Sequence, residues 1–75
     1  MESVPVQDYN TSIMSLGIKI REARDKKGLS QEKLAQKAGI TASTMYKIEK
    51  DKINPTFKVV VGIAKALNIS LETLR

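Results

Sequence analysis

The chain has 75 residues, with 13 Lys plus Arg against 8 Asp plus Glu, and it contains no His, no Cys and no Trp. That length holds one small domain, and the missing Cys and His remove disulfides, thiolate metal sites, Cys nucleophiles and the commonest general base, so composition argues against an enzyme, a metal or a cofactor. The longest apolar run, Val59-Val60-Val61-Gly62-Ile63-Ala64, is far short of the roughly 20 residues of a membrane span, and no basic segment precedes an apolar one at the start, so the sequence reads as a soluble cytoplasmic domain without a secretory signal.

Charge is unevenly spread. Glu2 and Asp8 are the only charged side chains before Leu16, and all 13 basic side chains come after it. So basic a body attracts polyanions through long-range Coulomb forces, although a solubilising surface has the same composition. Residues 1–11 lack helical periodicity, and Val4-Pro5-Val6 restricts its own backbone, so this stretch reads as a flexible arm.

From residue 12 to 75 the pattern is that of a single helical domain. Apolar residues recur at spacings of three and four: Ile13, Leu16, Ile20 and Ala23; Leu34, Ala35 and Ala38; Met45 and Ile48; Phe57, Val60, Val61, Ala64 and Leu67; Leu71 and Leu74. Each set defines one apolar stripe, and no segment alternates with period two. The spacing predicts an all-α, compact five-helix fold with helices at 13–27, 31–38, 42–50, 56–67 and 70–75. The Val run with Gly62 lowers helix propensity, but a strand there would lack a partner strand.

Three junctions share one grammar: Gly28-Leu29-Ser30, Gly39-Ile40-Thr41 and Asn68-Ile69-Ser70. The first residue tolerates φ > 0 and ends a helix, the second folds back on the helix just ended, and the third caps the next helix with its side-chain oxygen. Glu32 and Glu72 fall in first turns, where the helix dipole favours them. The fourth junction, Lys50 to Thr56, is longer. Asp51 takes the helix-ending role less comfortably than Gly, Pro55 stops any continuation, and Asn54 or Thr56 caps the helix at 56–67.

The pair 31–38 and 42–50 forms a helix-turn-helix unit, because so short a turn favours a crossing near 90–120°. Ala35 permits close crossing, Ile40 plugs the corner, and Met45 and Ile48 anchor the second helix. Its opposite face carries Ala42, Ser43, Tyr46, Lys47 and Lys50. Slim residues near the helix N-terminus and donors along its flank suit a major groove, although any small helical protein has a polar outer face.

The stretch from Leu16 to Leu74 resembles the phage-repressor-type (Xre, Cro/CI-like) helix-turn-helix DNA-binding family. The matching runs are Ile20-Arg21-Glu22-Ala23-Arg24, Gly28-Leu29-Ser30-Gln31-Glu32-Lys33-Leu34-Ala35, Ala38-Gly39-Ile40, Ile48-Glu49, Asn54-Pro55-Thr56 and Ala64-Lys65-Ala66-Leu67. The resemblance implies a lambda-repressor-like domain of five packed helices and a transcription regulator, typically a repressor. It also implies a homodimer on a palindromic double-stranded DNA operator. It assigns base reading to Ala42, Ser43, Tyr46 and Lys47, and a phosphate contact to Gln31, whose place at a helix N-terminus suits an anion. Lys47 suits guanine O6 or N7, Ser43 donates or accepts, and Ala42 meets only a thymine methyl. Thr44, Lys50, Lys52 and Asn54 are expected on the backbone, adding salt-dependent affinity without sequence information. Arg24 and Glu49 match a structural salt bridge of the family.

Asp51 departs from the family, which usually has Gly there; it adds a negative charge beside the expected phosphates and backbone strain at φ > 0. The Val run and Gly62 depart from a usually Leu-rich helix. Leu71 and Leu74 are candidates for a dimer surface or for core packing. The competing reading is an antitoxin or adaptor that uses the same fold to hold a protein partner through residues 1–11 or the last helix. The sequence stops early in that helix, as a piece of a longer regulator would.

Overall fold

A computed structural model describes residues 15–74. The arm expected at 1–11, Ile13 and Arg75 lie outside the described residues. Those described form helices α1 (Leu16–Lys26), α2 (Gln31–Ala38), α3 (Ala42–Glu49) and α4 (Phe57–Leu67), then a 3-10 turn, Leu71–Leu74. Four α-helices thus stand among the described residues where five were expected. The last element winds more tightly, with Thr73 N–H bonded to the Ser70 carbonyl at 3.1 Å, and that winding drops Leu74 into the core.

Each described α-helix starts from a hydroxyl cap. Ser15, Ser30, Thr41 and Thr56 each accept a hydrogen bond from the backbone N–H three residues on, at Ile18, Lys33, Thr44 and Val59. Helix α1 thus begins at Leu16, after its cap Ser15, and Thr56 rather than Asn54 caps α4. Every α-helix ends in one kind of closure. Leu29, Ile40, Lys52 and Ile69 return their N–H to carbonyls of Arg24, Ala35, Lys47 and Ala64 at 2.8–3.1 Å. The preceding residues, Gly28, Gly39, Asp51 and Asn68, all have φ between 57° and 78°. The longer fourth junction thus obeys the same grammar, and α3 stops at Glu49 with Lys50 as its cap.

Each helix contributes to a single core. Ile20, Leu34, Met45, Ile48, Ile63 and Leu67 are its largest fully buried side chains, each stabilising the fold by about 1.5–3 kcal/mol. α2 packs on α3 and α4, α1 packs on α3, and the 3-10 turn closes against α1 and α4. The crossing of α2 and α4 is made by small residues: Ala35 and Ala64 are buried, and a Cβ on Gly62 would lie 3.4 Å from the Ala38 carbonyl oxygen. Val59 and Val60 lie against the core, which is how packing overrides their low helix propensity. No described helix is long and apolar enough to cross a membrane.

Candidate nucleic-acid interface

The inner face of α3 is fixed by Met45, Ile48 and Glu49, all buried. The outer face carries Ala42, Ser43, Tyr46 and Lys47, all exposed, with Tyr46 at 45%. These four positions form one stripe at helical spacing. Lys50 continues it, its ammonium 5.8 Å from the Tyr46 ring centroid, a distance at which the ring face attracts the cation. Lys52 and Asn54 are exposed in the loop after α3. The stripe is thus small at the helix N-terminus and cationic towards its C-terminus, and it meets water.

Thr44 is half-buried beside this stripe. Its Oγ1 accepts from the Thr41 hydroxyl at 2.9 Å, which leaves its own O–H free to donate outward. Gln31 stands at the first position of α2, but its amide Nε2 donates to Glu49 Oε1 at 2.9 Å; one amide hydrogen remains for another acceptor.

Glu49 is the centre of a three-helix latch. It is only 6% exposed. Arg24 on α1 donates from Nε to Glu49 Oε2 at 2.7 Å and from Nη2 to Oε1 at 3.1 Å, a bidentate, charge-assisted pair. The third guanidinium nitrogen, Nη1, donates to the Leu29 carbonyl at 2.8 Å and lies 3.6 Å from the Asp25 carboxylate. The Glu49 hydrogen bond, and then its negative charge, hold the guanidinium above its ordinary range against the opposing effect of burial. A raised value of this sign keeps the guanidinium's contribution undiminished until strongly alkaline pH. Among the described residues no buried side-chain donor or acceptor lacks a partner, so the latch is fully satisfied.

The C-terminal end of α3 rests on the N-terminal end of α1. A Cβ on Gly17 would lie 2.5 Å from the Glu49 carbonyl oxygen and 2.6 Å from that of Ile48. Asp51 completes the joint: its Oδ2 accepts from the Ser15 hydroxyl at 2.6 Å and its Oδ1 from the Gly17 N–H at 3.1 Å. The carboxylate expected beside phosphates is therefore placed on the N-terminus of α1, where the helix dipole favours it. The positive φ expected of Asp51 is present, at 58°. No local pattern announces the Asp51 pairing, because the partners are 36 and 34 residues apart.

Between α1 and α3 runs a cleft of about 290 Å³ lined by Arg21, Arg24, Gln31, Tyr46, Glu49 and Lys50. Arg21 was absent from the sequence-derived set, yet its spacing of three from Arg24 places both on one side of α1. Leu71 and Leu74 belong to the 3-10 turn that packs on α1 and α4: Leu74 is buried and Leu71 half-buried against the same core. Within one chain both serve packing, and Leu74 has no surface to offer a second copy.

The comparisons with known proteins agree with this arrangement. The helix-turn-helix family profile matches residues 20–74. An uncharacterized HTH-type transcriptional regulator of Archaeoglobus fulgidus is 41% identical over 56 residues, which span 75% of this chain and 80% of that protein. The immunity repressor protein of Bacillus phage phi105 is 33% identical over 61 residues, spanning 81% of this chain but 42% of that protein. Among solved structures, Bacillus subtilis SinR, the master regulator for biofilm formation, in complex with DNA, superposes with a TM-score of 0.75 at 33% identity. It covers 79% of this chain and 95% of that one. With the profile covering most of its length and the capped helix-turn-helix in place, the chain belongs to the phage-repressor-type (Xre, Cro/CI-like) helix-turn-helix family.

Proposed function

We propose that this protein is a sequence-specific, double-stranded-DNA-binding transcriptional regulator, and a repressor, that inserts α3 into the major groove. The observation that carries the reading is the exposed stripe Ala42, Ser43, Tyr46 and Lys47 on a helix whose opposite face is clamped by the core and the Glu49 latch. A rigid helix with slim residues leading and a cation behind fits the groove and its donor and acceptor code. Gln31, Thr44, Lys50, Lys52 and Asn54 flank it as phosphate contacts, which position the protein without reading sequence. The SinR complex with DNA and the phage repressor relative support the same use of the fold.

The functional form is a cytoplasmic homodimer on a palindromic operator, each chain reading about 4–6 base pairs and the half-sites lying about 34 Å apart. Because Leu74 is in the core, the apolar dimer contact comes from exposed side chains, and among the described large hydrophobic residues Phe57 is the most exposed, at 71%.

The test is duplex binding by the parent chain and by alanine variants at Ser43, Tyr46 and Lys47, titrated with salt. Binding by the parent that weakens steeply with salt and is clearly weaker in the variants supports the reading. Salt-independent binding, or variants that bind as the parent does, contradicts it and favours an adaptor that uses the fold to hold a protein.

A further inference from the structure

Arg21 borders the recognition helix from a different element, one turn before Arg24 on α1, and lines the cleft shared with Tyr46, Glu49 and Lys50. Glu49 is the only carboxylate in that lining, and both of its oxygens are already engaged by Arg24 and Gln31. Each nitrogen of Arg24 likewise donates within the fold, Nε and Nη2 to Glu49 and Nη1 to the Leu29 carbonyl. Two cations of the cleft remain. Arg21 is exposed and forms no ion pair with any described residue. Lys50 is exposed too, its ammonium held over the Tyr46 ring. One comes from α1 and the other from the C-terminal cap of α3, so they flank the space rather than crowd a single helix face.

We propose that this cleft is a phosphodiester subsite, in which Arg21 and Lys50 grip one backbone phosphate of the duplex that α3 reads. The inference rests on the DNA-binding function proposed above and extends the footprint from α3 onto α1. The chemistry fits the two residue types: a guanidinium presents a planar fork to two phosphate oxygens, and an ammonium adds a point charge. The placement fits as well. The Tyr46 ring is both a wall of the cleft and a member of the exposed α3 stripe, so a strand lying along the stripe passes the cleft mouth. Arg24 is less well placed for this role, since its side chain is 13% exposed and already shared between Glu49 and the Leu29 carbonyl.

The experiment is a salt titration of duplex binding by fluorescence anisotropy, using one sequence the parent chain prefers and one unrelated sequence. The variants are Arg21→Gln, Arg21→Lys and Lys47→Ala. Arg21→Gln is expected to lower affinity for both duplexes by about three- to ten-fold and to make the slope of log K against log salt shallower by about 0.9. Its melting temperature and the ratio between the two duplexes should stay unchanged, and Arg21→Lys should retain most of the binding. Parent-like affinity and slope in Arg21→Gln, alongside weakened binding of the preferred duplex in Lys47→Ala, would overturn the subsite and leave the functional reading standing. A changed preference between duplexes in Arg21→Gln would also overturn it, since a phosphate contact reads no sequence. Failure of the parent chain to bind any duplex would overturn the functional reading and the subsite with it.

Discussion

The missing Cβ of Gly17 would sit 2.5 Å from the carbonyl oxygen of Glu49. The first turn of α1 and the last turn of α3 therefore meet backbone to backbone, with no side chain between them. The contact pairs the negative end of one helix with the positive end of another, and it fixes how far α3 stands out from the body. Three further links reinforce the joint: the Arg24–Glu49 ion pair, the Gln31 amide on Glu49 and the Asp51 carboxylate on Ser15 and Gly17.

Gly17→Ala is expected to destabilise, against the usual trend. A Gly to Ala change inside a helix ordinarily stabilises by about 1 kcal/mol. Here the new methyl meets two backbone carbonyls that cannot rotate away, and overpacking of that kind costs about 1–3 kcal/mol. Thermal unfolding checks the sign. Each net kcal/mol lost should lower the melting temperature by about 4–8 °C in a domain of this size.

Gly62→Ala is the contrasting substitution. Its added methyl would lie 3.4 Å from the Ala38 carbonyl oxygen, at the edge of ordinary contact, so helix propensity decides the outcome. An increase in stability of up to about 1 kcal/mol is expected in urea unfolding. A loss larger than that would show that the α2–α4 crossing is tighter than the geometry indicates.

Arg24→Met leaves Glu49 buried without its cation and should cost about 3–5 kcal/mol. Adding Glu49→Leu to the same chain should recover much of the loss, since two apolar groups of similar size remove the uncompensated charge. Denaturant midpoints of the parent, the single and the double variant measure this directly. A single variant as stable as the parent would mean that the latch contributes nothing.

At Asp51, the carboxylate hydrogen bonds and the left-handed backbone act separately. Asp51→Gly keeps the backbone but loses the bonds to Ser15 and Gly17, a cost of about 0.5–2 kcal/mol. Asp51→Ala loses the same bonds but keeps, as the parent does, a Cβ at positive φ, so it should fall about 1 kcal/mol below the glycine variant. The expected order of urea midpoints is parent, then Gly, then Ala; a glycine variant more stable than the parent would show that backbone strain outweighs the joint.

What the sequence displays of this molecule is what local physics controls. Helix ends were legible because the Gly28, Gly39 and Asn68 closures each lie within six residues, and the hydroxyl caps act three residues ahead. The exposed stripe from Ala42 to Lys47 was legible because period 3.6 separates it from Met45 and Ile48. The Asp51 joint was not, since it links residues far apart in the chain, and the second role of Gln31 depends on how α2 meets α3. The last element also escaped: Leu71 and Leu74 have helical spacing, but a tight 3-10 turn satisfies the same two positions and turns Leu74 inward.

Selection of bound duplexes from a random pool, run in parallel on the parent chain and on Lys47→Ala, probes base reading by α3 most directly. The parent should enrich one short motif repeated with twofold symmetry, and Lys47→Ala should lose its preference at one position in each half-site while keeping the rest. A parent pool that stays random, or a motif unchanged by Lys47→Ala, would contradict base reading by this helix face.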